Sequence, residues 1–178
     1  TTQGVEIDGR WALTDNFTLS GSAAYLDFEF DDFENAQCFF AQTEIDPGRV
    51  VDAANEICSQ TGLRKEYTPE FRATLTGDYN REIGDGLELR VGVDVIYVDE
   101  YNFAATLDPN TIQDSYVKVN ARLAIADVDG QWEVALLGRN LTDEDTISFG
   151  GNAPLGETLT GGNSNAYYAF VDRPSSVA

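Results

Sequence analysis

Between Leu87 and Tyr97 every second residue is apolar: Leu87, Leu89, Val91, Val93, Val95 and Tyr97, with Glu88, Arg90, Gly92, Asp94 and Ile96 between them. Successive side chains of a β-strand point to opposite faces, so this spacing gives one oily face and one mostly polar face. The pattern returns in six segments of the chain. Each oily face needs a medium that is not water, either a packed protein interior or lipid.

The six segments are easily set out. Residues 2–13 put Val5, Ile7, Gly9, Trp11 and Leu13 against Glu6, Asp8, Arg10 and Ala12; residues 17–25 put Phe17, Leu19, Gly21, Ala23 and Tyr25 against Thr18, Ser20, Ser22 and Ala24. Residues 69–80 carry Phe71, Ala73, Leu75, Gly77 and Tyr79 on one side, and residues 87–97 are the strand quoted above. Val117, Val119, Ala121, Leu123 and Ile125 define the fifth, and Trp132, Val134 and Leu136 the sixth. A seventh strand is expected to begin near Tyr167.

What separates these strands decides between the two media. Connections alternate between short turns (residues 14–16, 81–86 and 127–130) and long polar loops (residues 27–68, 99–114 and 141–166). A soluble meander has no reason to put every long loop at one end, whereas a transmembrane barrel has short turns on one side and long loops on the other. Strands of this length exceed the usual five or six residues of globular sheets and match a tilted membrane span. Trp11, Phe17, Tyr79 and Trp132 fall on the oily face beside the short turns, and Tyr25, Phe71 and Tyr97 fall on it beside the long loops. These seven residues are placed to form two aromatic girdles at headgroup depth. The fold expected is therefore all-β, a sector of an antiparallel transmembrane barrel. An open sheet in lipid would leave unpaired backbone groups at its edges, so the sector is expected to belong to a larger barrel lacking its earlier strands and the end of its last strand here.

Composition narrows function. The 178 residues carry a formal net charge of −20, from 31 acids against 11 bases, and such a surface repels phosphate backbones. Nucleic acid is thus not an expected partner. A hydrophobic fraction of 42% with 11% aromatics argues against a disordered acidic chain. The chain has no histidine, which removes Ser-His-Asp hydrolysis and His-ligated zinc, and no nucleophile stands beside an evident base. Neither an enzyme nor a bound cofactor is expected. Cys38 and Cys58 sit in the least periodic stretch; an exported chain would join them, and the other reading is two free thiols.

Five stretches resemble the C-terminal barrel of TonB-dependent outer-membrane receptors. They are Gly4-Val5-Glu6-Ile7-Asp8-Gly9, Thr14-Asp15-Asn16-Phe17-Thr18-Leu19-Ser20-Gly21, Tyr67-Thr68-Pro69-Glu70-Phe71, Gly138-Arg139-Asn140-Leu141-Thr142-Asp143-Glu144 and Asp172-Arg173-Pro174. After Pro174 the family usually has arginine, where this chain has Ser175. The resemblance spans residues 1–178 as one domain and keeps the family's order. It implies a barrel of 22 strands, about seven of them here, with a plug domain and a TonB-contacting segment elsewhere. It further implies the outer membrane of a Gram-negative bacterium, contact with lipid and lipopolysaccharide, and TonB-powered import of a scarce ligand, foremost a ferric siderophore. A structural or adhesive, self-assembling acidic β-sheet is the alternative.

Site residues follow from position. Phe39, Phe40, Tyr101 and Phe103 lie in the long loops, where exposed aromatics serve as binding anchors. On the polar face Arg10, Arg72, Arg90, Lys118, Arg122 and Arg139 are expected to pair with Glu6, Asp8, Asp78, Glu88, Asp94 and Glu133. Asp27, Glu29, Asp31, Asp32 and Glu34 form a carboxylate ladder whose oxygens suit calcium, with solvated loop acids as the preferred reading. Asp127-Val128-Asp129-Gly130 reads as a hairpin turn rather than a calcium loop.

Overall fold

The computed structural model of the chain describes residues 1–153, 155–161 and 166–178. Its frame is a wall of long antiparallel strands: β1 (Thr2–Ala12), β2 (Phe17–Phe28), β6 (Phe71–Gly84), β7 (Leu87–Val98), β10 (Tyr116–Asp127) and β11 (Glu133–Arg139). Short strands lie in the loops between them: β3 (Ala36–Gln37), β4 (Val50–Asp52), β5 (Ile57–Cys58), β8 (Tyr101–Asn102), β9 (Ile112–Gln113), β12 (Ile147–Asn152) and β13 (Tyr167–Val171). The wall ends on β14 (Ser176–Val177), giving the order β1-β2-β6-β7-β10-β11-β14. Sequence neighbours among the long strands are thus neighbours in space, an up-and-down meander.

Register keeps the two faces separate across the whole wall. One row reads Trp11, Leu19, Gly77, Val93, Ala121 and Gly138 in successive pairings; the row beside it reads Arg10, Ser20, Thr76, Asp94 and Asn120. A slip of one residue would exchange the faces, so the alternation itself specifies this pairing. Among the described residues no second layer covers the oily side. Val5 and Ile7 are 69% and 70% exposed, Val134 and Leu136 69% and 53%. Such a contiguous exposed apolar surface is foreign to soluble proteins and expected of a surface that lipid covers.

The short turns are tight. Asp85 and Gly86 both have left-handed φ (48° and 79°) and join Gly84 to Leu87, a two-residue hairpin of the Asp-Gly kind. The third long strand therefore runs to residue 84, further than the alternation suggests, with a bulge between Glu82 and Gly84. At the first turn the Phe17 N–H donates to Thr14 Oγ1 (3.0 Å). At the third, the Gly130 N–H donates to Asp127 O (3.0 Å), so the Asp-Val-Asp-Gly segment is a turn.

The last strand departs from expectation. Tyr167–Val171 does not join the wall but pairs with Ile147–Asn152 as a separate hairpin, and the chain reaches the wall only at residues 176–177. Pro174 has no N–H to give a ladder, and the partner strand is interrupted by Asn140, whose φ is +49°. Asn140 bridges the break: its Nδ2 donates to Glu144 O (3.0 Å) and Arg173 O (3.3 Å), while its Oδ1 accepts from the Glu144 N–H (3.1 Å).

The polar face is also rearranged. Arg90 pairs with Glu88 (2.6 Å) and Glu133 (3.1 Å), and Arg122 pairs with the same Glu133. Buried Ala124 and Ala126 lie in register with Arg90 and Glu88, small enough to leave room for the long side chains. Lys118, however, goes to Asp172 (2.6 Å) rather than to a wall acid, and Asp94 accepts from Thr76 Oγ1 (2.7 Å). Arg10, Arg72 and Arg139 make no ion pair among the described residues. These three depart from the expected pairing because the register sets neutral residues beside them: Arg10 faces Ser20, Arg72 faces Ala24 and Val98, and Arg139 faces Ser176.

Candidate ligand-binding site at the loop end of the wall

All three long loops leave the wall at the same end, and each has internal structure. In the first, β3, β5 and β4 form a small sheet closed by the Cys38–Cys58 disulfide, with helix α1 (Gln42–Ile45) between β3 and β4. The disulfide lies in an excursion whose buried residues include Ala36, Phe39 and Cys58 itself. In the second, β8 and β9 pair, and Asp108 is 0% exposed. Its Oδ1 accepts from the Asn110 N–H (2.8 Å), starting a single helical turn, and its Oδ2 accepts from Tyr167 Oη (2.7 Å) of the third loop. The third loop holds the β12–β13 hairpin and helix α2 (Gly156–Leu159).

Hydrogen bonds tie the three loops into one cap. Gln60 Nε2 donates to Ala105 O (2.8 Å), the Tyr67 N–H to Asn102 O (2.8 Å), Tyr101 Oη to Ile147 O (3.1 Å), and Thr106 Oγ1 to Asn152 Oδ1 (2.7 Å). Burial pushes the Tyr101 phenol up to about 12, so it stays protonated and remains a donor. Asp172 is held below the usual carboxylate range, chiefly by its hydrogen bond from Lys118.

Between the disulfide-closed sheet and the third loop lies a cavity of about 690 Å³. Its walls include Phe39, Phe40, Gln42, Glu56, Thr106 and Asn152. The four loop aromatics thus take different positions. Phe39 and Phe40 both line the cavity. Phe103 is buried against the third loop, where a Cβ on Gly150 would sit 2.8 Å from its ring, so only glycine fits there. Tyr101 is half-buried within the cap.

The carboxylate ladder does not gather. Asp27 accepts from Gln3 Nε2 (3.0 Å) and Asp31 from Thr1 Oγ1 (2.6 Å). Among the described residues no group of three His, Cys, Asp or Glu side chains is placed to hold a metal ion. Asp27 lies within β2, whereas Glu29, Asp31 and Asp32 lie in the loop beyond its end at Phe28.

Trp11, Tyr25, Phe71 and Trp132 are exposed on the oily face, with Phe17, Tyr79 and Tyr97 half-buried on it. Phe71 and Tyr97 pack at 6.0 Å between centroids. Sequence reasoning overlooked Gln42, Asp108 and Asn152. Only Asp108 carried a local sign, an Asp before Pro at the head of a turn.

A family model described as "TonB dependent receptor-like, beta-barrel" matches residues 1–152. Two solved structures are similar over 99% of the chain. The ferric yersiniabactin uptake receptor FyuA from Yersinia pestis has a TM-score of 0.68 and 15% identity, with 22% of its own chain covered. The siderophore receptor PiuA from Acinetobacter baumannii has a TM-score of 0.64 and 18% identity, with 20% covered. At these identities the likeness is one of fold, and the chain spans only that share of the structures it matches. Comparison with curated proteins gives no match.

Proposed function

The chain belongs to the TonB-dependent receptor β-barrel family, and on that premise we propose that it supplies wall and loop cap to an outer-membrane receptor importing a ferric siderophore with TonB-supplied energy. In this reading residues 1–178 are part of the C-terminal half of a 22-stranded barrel in a Gram-negative outer membrane. The observation that carries it is an apolar face with exposed residues on each of six adjoining strands, joined to a loop cap that holds a cavity at one end.

Each part has a role. The oily face contacts lipid and lipopolysaccharide, and Trp11, Phe17, Tyr79 and Trp132 form the inner girdle, with Tyr25, Phe71 and Tyr97 as the outer one. The Arg90-Glu88-Glu133-Arg122 cluster on the polar face braces the wall and contributes to plug contact. Phe39 and Phe40 offer apolar surface to a ligand, Phe103 stiffens the cap from within, and Tyr101 links two loops. TonB acts through segments outside this chain. The siderophore class is supported by the neighbours FyuA and PiuA, whose names describe uptake of or reception of such ligands.

The test uses the parent polypeptide in iron-limited Gram-negative cells. Radio-iron uptake from a panel of ferric chelates should fall on deletion of its gene and again on deletion of tonB, with the protein in the detergent-extracted outer membrane. Recovery in the soluble fraction, or unchanged uptake of every chelate, would favour the adhesive alternative.

A further inference from the structure

The cavity at the loop end is lined by a largely buried residue with a side-chain donor that makes no bond to the described residues. Gln42 is 5% exposed, and its Oε1 accepts from the Phe39 N–H (3.0 Å), which fixes which end of the amide is oxygen. Its Nε2 makes no hydrogen bond among the described residues, yet no side-chain nitrogen there is sealed from open space without a partner. That nitrogen is therefore not sealed, and Gln42 lines two spaces, the cavity of about 690 Å³ and a smaller one of about 210 Å³ that Asp46 and Arg49 also line. A side-chain amide with free N–H groups in a largely buried residue can donate to an acceptor oxygen.

Charge narrows the acceptor. Glu56 is the only charged residue among the described residues lining the main cavity, and no base lines it. The loop bases are engaged or elsewhere: Arg49 donates to Thr61 O (2.7 Å) beside Asp46, Arg64 pairs with Glu70 (3.4 Å), and Lys65 and Arg173 line no part of it. Residues 27–68 carry ten acids against three bases. An anionic ligand entering here meets Glu56 with no counter-cation and is repelled by the loops on approach. A neutral ligand with carbonyl oxygens and apolar surface meets Gln42 Nε2 and the walls of Phe39 and Phe40.

We propose that this cavity selects a neutral, carbonyl-rich ferric chelate of the hydroxamate type over the polyanionic catecholate type, with Gln42 Nε2 donating to a chelate oxygen. The inference rests on the import reading above. Three hydroxamates balance the metal charge, so a ferric trihydroxamate is neutral, whereas a ferric tricatecholate carries three negative charges.

Equilibrium binding of both chelates to the purified full-length receptor tests it. The trihydroxamate should bind at least about tenfold more tightly. Gln42→Glu keeps the oxygen that holds the Phe39 N–H and removes the donor, so trihydroxamate affinity should drop about three- to tenfold with loop protease resistance unchanged. Equal or tighter tricatecholate binding by the unmodified receptor overturns the inference while leaving import intact. An unchanged affinity in a folded Gln42→Glu variant overturns the role of Gln42. Binding of neither chelate, with no uptake in cells, overturns both readings.

Discussion

The Gly150 N–H donates to Tyr67 Oη at 2.9 Å, joining residues 83 apart in the chain. Gly150 is buried, and Tyr67 stands at the exit of the first long loop, so one phenol couples two loops across the mouth of the wall. Tyr67→Phe leaves that N–H without an acceptor, at a local cost of about 1–3 kcal/mol. Hydrogen exchange should quicken at Gly150 and along the β12–β13 hairpin, while amides of β6 and β7 keep their protection. Equal acceleration in all of these would show that the bond does not act locally.

Val93 and Thr76 test the two faces. Val93 lies on the oily face between Gly77 and Ala121, and Thr76 lies on the polar face opposite Asp94. Val93→Arg should cost about 2–4 kcal/mol if it sits at the bilayer midplane. Thr76→Arg loses only a hydrogen bond to Asp94 and gains an opposite charge. The folded, heat-modifiable fraction in outer-membrane preparations should fall sharply for the first and little for the second. Equal tolerance would count heavily against lipid on the Val93 side.

The Cys38–Cys58 disulfide closes a loop across a separation of 20 residues. Chain-entropy arguments put its contribution at about 3 kcal/mol, confined to the small sheet it pins. Cys58→Ser with Cys38→Ser, or reduction on intact cells, should expose residues 37–60 to protease while the wall resists. Wall cleavage on the same timescale would contradict the separation of loop and wall.

Asp172 and Lys118 give a pH dependence. Because Asp172 is depressed in the folded chain, its contribution is present above the ordinary carboxylate value of about 3.9 and is lost as pH falls through the lower folded value. Asp172→Asn should loosen the 172–175 segment at neutral pH, read as faster exchange of the Asp172 amide that donates to Thr146 O (2.7 Å). Variant and parent should converge in strong acid. A difference that persisted there would mean the carboxylate charge is not what holds the segment.

Asn140 combines a left-handed backbone with three side-chain hydrogen bonds, and it is buried. Asn140→Ala should lose about 1–3 kcal/mol in bonds and about 1–2 kcal/mol in backbone strain. Asn140→Gly should lose only the first. Thermal loosening of residues 172–178 that is the same in both variants would rule out the backbone part.

The six long strands of the wall were legible in the sequence, whereas the last was not, because Tyr167–Val171 pairs within a loop instead. Val5, Trp11, Val93, Leu123 and Val134 share a face because a strand repeats every two residues, and that period is written in the order of the residues alone. Turn positions followed from Asp-Gly and Thr-Asp-Asn for the same local reason. The cap was not legible. Nothing near Gln42 in the sequence marks it as a buried donor, and nothing near Asp108 shows that Tyr167, 59 residues on, donates to it. Likewise nothing near Asn140 shows that its side chain would reach Arg173, 33 residues on. The amino-acid order thus determined which faces the strands present and where the chain reverses, since both depend on neighbours one or two residues apart. Only the tertiary structure decided which loop groups meet, because those contacts depend on where the wall brings distant loops together in space.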